Sequence, residues 1–463
     1  MRLPDSDETI VAISTPPGYG GIGVIRISGS RAFAIANQLV EGQTDFAEVK
    51  THTIHHCFIK GTSRRSFTDD ALAAVFVSPN SYTGENVVEI SAHGNPQILK
   101  QIVMMAIEAG ARQAGPGEFT LRAFQNGRID LLQAEAVADL IAAEGTAFRQ
   151  AAMYQLSGRL SEYIGNLRNE LIEIGALFES YTDFPDEEIP REQKAELLGR
   201  IDVISGKLQR LGDSYQQGEI LRSGLQVPIV GPPNAGKSSL FNAILAEERA
   251  IVTEIPGTTR DTITEKIDLN GIVVRFVDTA GMRQAGDKIE AAGIERSQRE
   301  IDAAVFVVAV FDAAKSTVSE IREFLEKVAE RQAILVLNKM DLLTEFQAAS
   351  LESELDSFSP IIVSAKQLRG IDRLLGRVGE LIESSAKTTA NEGNVLTNQR
   401  HYRAVATALS SLDEVRTKLD NGESFEILAF ELHQSVTALE EILGKVTNDD
   451  LLAEIFSRFC IGK

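Results

Sequence analysis

Over residues 1 to about 120 the apolar positions fall into short runs punctuated by glycine and proline, in ETIVAIST, GVIRIS, DDALAAVFV and NVVEISAHG, and these runs read as strands. One helical pattern at 98–109 interrupts them, so the first 120 residues predict an α+β module. The Gly- and Pro-rich pieces at 15–23 (TPPGYGGIG), 81–94 (SYTGENVVEISAHG) and 115–130 (GPGEFTLRAFQNGRID) read as turns. Arg26 and Glu89 stand inside apolar strand patterns, where a charge lies either on a solvated face or in a ligand pocket.

From about Leu121 the period lengthens to between three and four. Leu156, Leu160, Ile164, Leu167, Leu171, Ile174 and Phe178 put one apolar stripe along a long helix. The acidic stretch 183–188 (DFPDEE) breaks it with Pro185, and Leu197, Ile201, Ile204, Leu208 and Leu211 mark a second helix. Helical patterning returns after the polar stretch KTTANEGN, with Leu428, Leu432, Val436, Leu439 and Leu443 as its stripe. The simplest division is an α+β domain (1–120), a helical domain in two pieces (121–217 and 385–463), and a nucleotide domain inserted between them (218–384). Such an insertion would link nucleotide state to the geometry of the helices.

The inserted region opens on LQVPIVGPPNAGKSSL at 225–240, an apolar run that breaks into G-x-x-x-x-G-K-S and then into helix-forming sequence. Gly231 and Gly236 let backbone amides face a β-phosphate, Lys237 neutralises β/γ charge, and Ser238 suits Mg²⁺. A second apolar strand, IVVRFVDTAG at 272–281, ends in Asp278, placed to hold Mg²⁺ through water, and in Gly281, free to approach the γ-phosphate. ILVLNKMD at 334–341 then selects the base. The Asp341 carboxylate accepts both donors on the Watson–Crick edge of guanine, while Asn338 and the Lys339 stem shape the slot. Adenine presents the opposite pattern and would leave that carboxylate unpaired. VSAK at 363–366 supplies a backbone donor for the guanine oxygen. Four motifs in this order point to GTP.

Composition sets the limits on partners and compartment. The chain has 463 residues, 43% of them hydrophobic, enough for several cores and about three domains. Two cysteines, Cys57 and Cys460, make no disulfide framework. The N-terminus lacks a basic n-region with an apolar run behind it, and no stretch reaches the roughly 18 apolar residues of a membrane span, so a cytoplasmic setting is expected. A net charge of −20 argues against indiscriminate nucleic-acid binding while leaving room for a local basic patch.

Hydrolysis needs a group the usual position does not supply. Where small regulatory GTPases carry a water-positioning glutamine this chain has Met282, so Asp287 or Glu290 is expected to orient the water. Segments 253–261 (TEIPGTTRD) and 282–293 read as switches, with Thr259 able to ligate Mg²⁺, and no arginine finger is identifiable.

These motifs, with TPPG-x-GGIGVIRISG, GRIDLLQAEAVADLI, DFPDEEI, GTTRD, DTAGMR and the terminal CIGK, resemble the MnmE (TrmE) family of tRNA-modification GTPases from end to end. The resemblance implies a multi-domain chain mixing α+β and α/β parts: an N-terminal tetrahydrofolate-binding domain, a discontinuous all-α helical domain and an inserted Ras-like P-loop G domain. It implies a homodimer whose G domains meet during potassium-stimulated GTP hydrolysis. With an FAD-dependent partner in a hetero-oligomer, the family places aminomethyl or carboxymethylaminomethyl groups at carbon 5 of the wobble uridine of certain tRNAs. The implied one-carbon source is a 5-formyl- or methylene-tetrahydrofolate.

Residue by residue, the resemblance implies GTP and GDP contacts from Asn234, Ala235, Gly236, Lys237, Ser238 and Ser239, from Thr253, Glu254, Ile255, Pro256, Gly257, Thr258 and Thr259, and from Asp278, Thr279, Ala280 and Gly281. The base would be met by Asn338, Lys339, Asp341, Ser364, Ala365 and Lys366. Ser238 and Thr259 match the Mg²⁺ ligands. Asn234, Thr253, Ile255 and Thr258 match the K⁺ site, and Glu290 the catalytic glutamate. Arg26, Glu89, Arg128 and Lys463 fall where the family contacts folate, with Arg128 in place of the expected lysine, which keeps charge but not shape. Cys460, among Phe456, Phe459 and Ile461, is either a small core residue or a thiol acting on folate or uridine. The competing class is a non-catalytic GTP switch, such as a ribosome-assembly GTPase that binds RNA, which has no need of a terminal thiol or a one-carbon carrier.

Overall fold

The computed structural model describes residues 8–41, 45–61, 67–183, 191–247, 266–278, 304–327, 332–386 and 394–463. The chain divides into two compact units, one of Met1–Ala142, Ala152–Ser205 and Thr407–Lys463, the other of Ala143–Ala151 and Gly206–Ala406.

The first unit contains a seven-stranded sheet: β1 (Ile10–Ile13), β2 (Gly20–Ser28), β3 (Val40–Glu41), β4 (Thr53–Lys60), β5 (Phe67–Phe76), β6 (Val87–Gly94) and β7 (Arg112–Gln113), in the order β3-β4-β5-β6-β2-β1-β7. All pairs are antiparallel except β1 with β7. Side chains alternate across it with period two. Ile25, Ile27, Val88, Ile90, Ala73 and Val75 bury one face against the helices Ala32–Leu39 and Pro96–Glu108. Arg26 and Glu89 lie side by side on the other face.

Five elements here escape the expectations. The helix Ala32–Leu39 and strands β3, β4 and β7 were not expected, and 118–125, which overlaps the piece read as a turn, is the helix Glu118–Gln125. Burial explains the last case: Glu118, Thr120 and Arg122 are buried along with Phe119, Leu121 and Ala123, so no polar face survives to mark a helical period. In β4 the two histidines fall among the alternating positions and blur the pattern.

The long stripe is real from Leu160 onward. Leu160, Ile164, Leu167, Leu171, Ile174 and Phe178 are all buried in the helix Arg159–Asp183. Leu156 instead ends the preceding helix, Thr146–Leu156, and the chain turns at Gly158 (φ +82°), which an L side chain seldom tolerates. The helix Phe425–Leu443, with Leu428, Leu432, Val436, Leu439 and Leu443 buried, packs along it, and Arg168 Nε reaches Glu440 Oε1 at 2.7 Å across the pair.

The second unit is a doubly covered, mostly parallel sheet: β8 (Leu225–Val230), β9 (Lys266–Leu269), β10 (Ile272–Asp278), β11 (Phe306–Asp312), β12 (Gln332–Asn338) and β13 (Ile361–Ile362), in the order β13-β12-β11-β8-β10-β9. Only β9 runs antiparallel, to β10. Every residue of β11 is buried, as a strand covered on both faces requires. Phe306, Val308 and Val310 face Leu374 and Val378 of the helix Ile371–Ala386, while Val307, Ala309 and Phe311 face Ile321 and Leu325 of the helix Val318–Lys327. In such sheets ligands bind beyond the carboxyl ends of the strands.

This unit also claims a segment distant in sequence. Ala147 N donates to Gly271 O at 2.9 Å, Lys266 Nζ reaches Glu144 Oε1 at 2.6 Å, and Ala147 packs against the core of the sheet.

Candidate functional site

At the carboxyl end of β8 the chain enters the phosphate loop. Gly231 (φ +141°) leaves no room for a side chain, since a Cβ there would stand 2.1 Å from Val310 O of the neighbouring strand. Lys237 begins the helix Lys237–Glu247, whose first amides have no intrahelical acceptor. Its ammonium is folded back over the loop, donating to Gly231 O at 2.8 Å and Pro232 O at 2.9 Å, and the residue is 7% exposed. Ser238 and Ser239 are exposed on the same turn. Asp278 pairs in register with Ile229, so the second motif ends beside the loop on the adjacent strand.

The ILVLNKMD motif at 334–341 meets the same loop through hydrogen bonds that its apolar pattern does not announce. Asn338 is 1% exposed; its Nδ2 donates to Ala235 O at 3.1 Å and Gly236 O at 3.4 Å, and its Oδ1 accepts from Lys339 N at 2.8 Å and Ala365 N at 3.1 Å. One amide side chain therefore ties the phosphate loop to the VSAK segment. Lys339, at φ +66°, donates from Nζ to Asn234 O at 2.6 Å and to Asp312 Oδ2 at 2.8 Å. Asp341 Oδ1 accepts from Ser364 Oγ at 2.6 Å, and that bond holds its carboxyl below the usual range, helped by Lys366 and Lys339. An ionised Asp341 follows. Lys366 is exposed.

Asp312 was missed in the sequence. It ends β11, is 5% exposed, accepts from Ala314 N at 3.0 Å and pairs with Lys339. The usable signal was an apolar run, FVVAVFD, ending in a carboxylate that stands in register with Asn338 of β12.

Several expected residues lie outside the described ones: Thr253, Glu254, Ile255, Pro256, Gly257, Thr258, Thr259, Thr279, Ala280, Gly281 and Glu290, with Met282 and Asp287. The structure thus brings together Asn234, Ala235, Gly236, Lys237, Asn338, Lys339, Asp341, Ser364 and Ala365.

In the first unit the Arg26 guanidinium lies 2.7 Å from Glu89 Oε1 and sits over the rings of Tyr82 (5.1 Å) and Phe119 (5.4 Å). It is a half-buried, partnered charge rather than one on a solvated strand face. Tyr82 shares a 2.8 Å hydrogen bond with Thr120 Oγ1; burial pushes its hydroxyl pKa up, against the opposing pull of Thr120 and Arg26. Phe119 also connects to the chain's last residues, its amide donating to Lys463 O at 3.2 Å. Arg128 is exposed, with its Cγ 3.3 Å from where a Cβ on Gly84 would stand. Cys460 is exposed, so the small-core alternative does not describe it. Cys57 takes that part: it is buried, with its thiol pushed up to about 11 by burial and by Asp70.

Residues 9–128 match the family model described as the GTP-binding protein TrmE N-terminus, and residues 131–460 that of the MnmE helical domain. A tRNA modification GTPase MnmE of Flavobacterium johnsoniae is 40% identical over 471 residues, covering 99% of this chain and 100% of the relative. One from Acetivibrio thermocellus is 39% identical over 457 residues, covering 99% of each. The chain belongs to the MnmE family. It is a tRNA modification GTPase, built from a TrmE-type N-terminal domain, an MnmE helical domain and a P-loop GTPase domain. Nucleotide and Mg²⁺ dependence come with that class, and exposed Ser238 beside Lys237 offers a hydroxyl oxygen of the kind Mg²⁺ takes. Among the described residues no helix is long and apolar enough to cross a membrane.

Proposed function

We propose that this MnmE-family chain couples GTP hydrolysis to modification of the wobble uridine of certain tRNAs, adding aminomethyl or carboxymethylaminomethyl groups at carbon 5 with an FAD-dependent partner. The observation that carries this reading is the exposed thiol of Cys460 on a tail docked, through Lys463 O and Phe119 N, beside the Arg26–Glu89 pair. A guanidinium, a carboxylate and two aromatic rings fit a flat, polar heterocycle with an acidic tail, which is the chemistry of a tetrahydrofolate. Arg26, Glu89, Arg128 and Lys463 would hold it, and it would supply the one-carbon unit.

In the G domain, taken as 218–384, Asn234 with Thr253, Ile255 and Thr258 would hold K⁺, Ser238 and Thr259 the Mg²⁺, and Glu290 would orient the attacking water. Asn234, exposed and in the left-handed region (φ +63°), stands at the rim of the loop, where a cation could be shared with a second G domain. Exposed Ile54, Phe58, Phe67 and Leu72 on β4 and β5 support a homodimer, since a contiguous apolar surface favours a partner. Such a tRNA-modifying enzyme works in the cytoplasm.

Cys460→Ser tests the proposal. It should keep fold, dimerisation and potassium-stimulated GTP hydrolysis but lose the modified nucleoside in chromatograms of wobble-position digests. Full modification by the variant would show that the thiol takes no part.

A further inference from the structure

Residues 115–122 carry buried charge that neither GTP hydrolysis nor the Arg26–Glu89 pair uses. Glu118 is 2% exposed, and its carboxylate accepts from Arg112 Nη2 at 2.5 Å, Arg112 Nη1 at 3.0 Å, Arg122 Nη2 at 3.1 Å and Gly115 N at 2.8 Å. Arg122 continues to Glu85 Oε1 at 3.0 Å, whose Oε2 accepts from Ser28 Oγ at 2.6 Å. Burial pushes the Glu118 carboxyl up, but Arg112, the Gly115 amide and Arg122 outweigh it and hold it below its ordinary range. The group stays ionised at neutral pH and binds two guanidinium groups and a backbone amide at once.

What this anchors is the turn 115–117 and the first turn of the helix that follows. That stretch binds the C-terminal segment through backbone: Gly117 N donates to Cys460 O at 3.4 Å, Phe119 N to Lys463 O at 3.2 Å, and Pro116 bridges Ile461. The fit is close. A Cβ on Gly117 would stand 2.8 Å from Phe456 O, and one on Gly462 2.2 Å from Ile13 O. A small shift of the turn therefore moves the oxygens' partners and the tail with them, while the Cys460 side chain faces solvent.

We propose that Glu118 is a positioning residue for Cys460: by fixing the turn 115–117 it sets the register of the tail and so the place where the thiol is presented. This rests on the reading of Cys460 as a participant in uridine modification. Glu118 itself touches no substrate. The competing account is an ion network that only holds the domain together, and the two differ in how local the effect of its loss is.

The test uses the full chain with Glu118→Gln, which keeps side-chain length and an acceptor oxygen but removes the charge. Arg112→Gln, at the half-exposed rim of the same cluster, is the milder second variant if the first folds poorly. Hydrogen exchange of Gly117 and Phe119 should quicken by about tenfold or more while the amides of β2 and β6 keep their protection. The alkylation rate of Cys460 against pH should change in rate or midpoint, with buried Cys57 silent. Uridine modification should fall by about tenfold or more with GTP hydrolysis unchanged. Unchanged exchange at Gly117 and Phe119 in both variants overturns the proposal, as does a quickening spread evenly over the sheet. Cys460→Ser measured alongside separates the two failures: if it still modifies uridine, the reading of Cys460 falls, and the exchange data alone decide whether Glu118 holds the tail.

Discussion

Replacing Asn338 with alanine removes the side chain that joins the two ends of the nucleotide site. The change withdraws a donor from Ala235 O and Gly236 O and an acceptor from Lys339 N and Ala365 N. Gly236 and Lys339 are half-exposed, so water can take up their groups. Ala235 and Ala365 are 1% and 8% exposed and are left with stranded backbone groups. A stranded buried group costs about 1–3 kcal/mol, and with some relaxation the pair costs about 2–4 kcal/mol. If that loss fell wholly on binding, GTP affinity would drop by about 30- to 1,000-fold. Because the bonds exist without nucleotide, part of the loss should also lower the melting temperature of the nucleotide-free chain, by about 2–4 °C per kcal/mol in a unit of this size. Titration with a fluorescent GTP analogue, paired with thermal unfolding with and without nucleotide, measures both shares. An Asn338→Ala chain that melts as the wild type and binds GTP within about threefold of it would refute the argument, since the stranded groups must cost something.

Asp341→Asn should weaken GTP binding by roughly 30- to 150-fold and gain relative preference for xanthine nucleotides, since the amide presents one acceptor and one donor pair to the base edge; competition binding with GTP and XTP reads both. Hydrolysis should be much faster in potassium than in sodium at equal ionic strength, because a cation standing in for an arginine finger replaces part of an effect of about 10³–10⁵. Asn234→Ala should abolish that response while leaving nucleotide binding largely intact, and equal rates in both salts would reject the cation site. Glu290→Ala should depress turnover far more than GTP affinity, the pattern of an interaction made mainly in the transition state. Damage from Asp287→Ala instead would move the role three positions along the chain.

What the sequence disclosed followed from how local each signal was. The strand–loop–helix at 225–240 was legible because an apolar run, two glycines and a Lys-Ser pair lie within one motif, and the helix stripes because periodicity survives wherever one face stays polar. Asn338 was placed at the nucleotide, yet its bonds to Ala235 and Ala365 join residues about a hundred and about thirty positions away, which no local pattern reports. Asp312 was missed for the same reason: its partner Lys339 follows the end of the neighbouring strand β12. The helix Glu118–Gln125 hid because its charged residues are buried in pairs, which erases the polar face that would have marked it.

The attachment of Glu144, Thr146 and Ala147 to the β9–β10 hairpin bears on how this protein can be dissected. A G domain cut out as 218–384 leaves the Lys266 ammonium without the Glu144 carboxylate and removes the Ala147 amide from Gly271 O. It also bares the surface at Gly271 and Val273 on which Gly145 and Thr146 rest. The excised fragment would carry an apolar scar next to a strand edge, a setting that invites self-association unrelated to nucleotide. Dimerisation measured on such a fragment would then mix two phenomena, and restoring the nine residues 143–151 through a short linker would separate them.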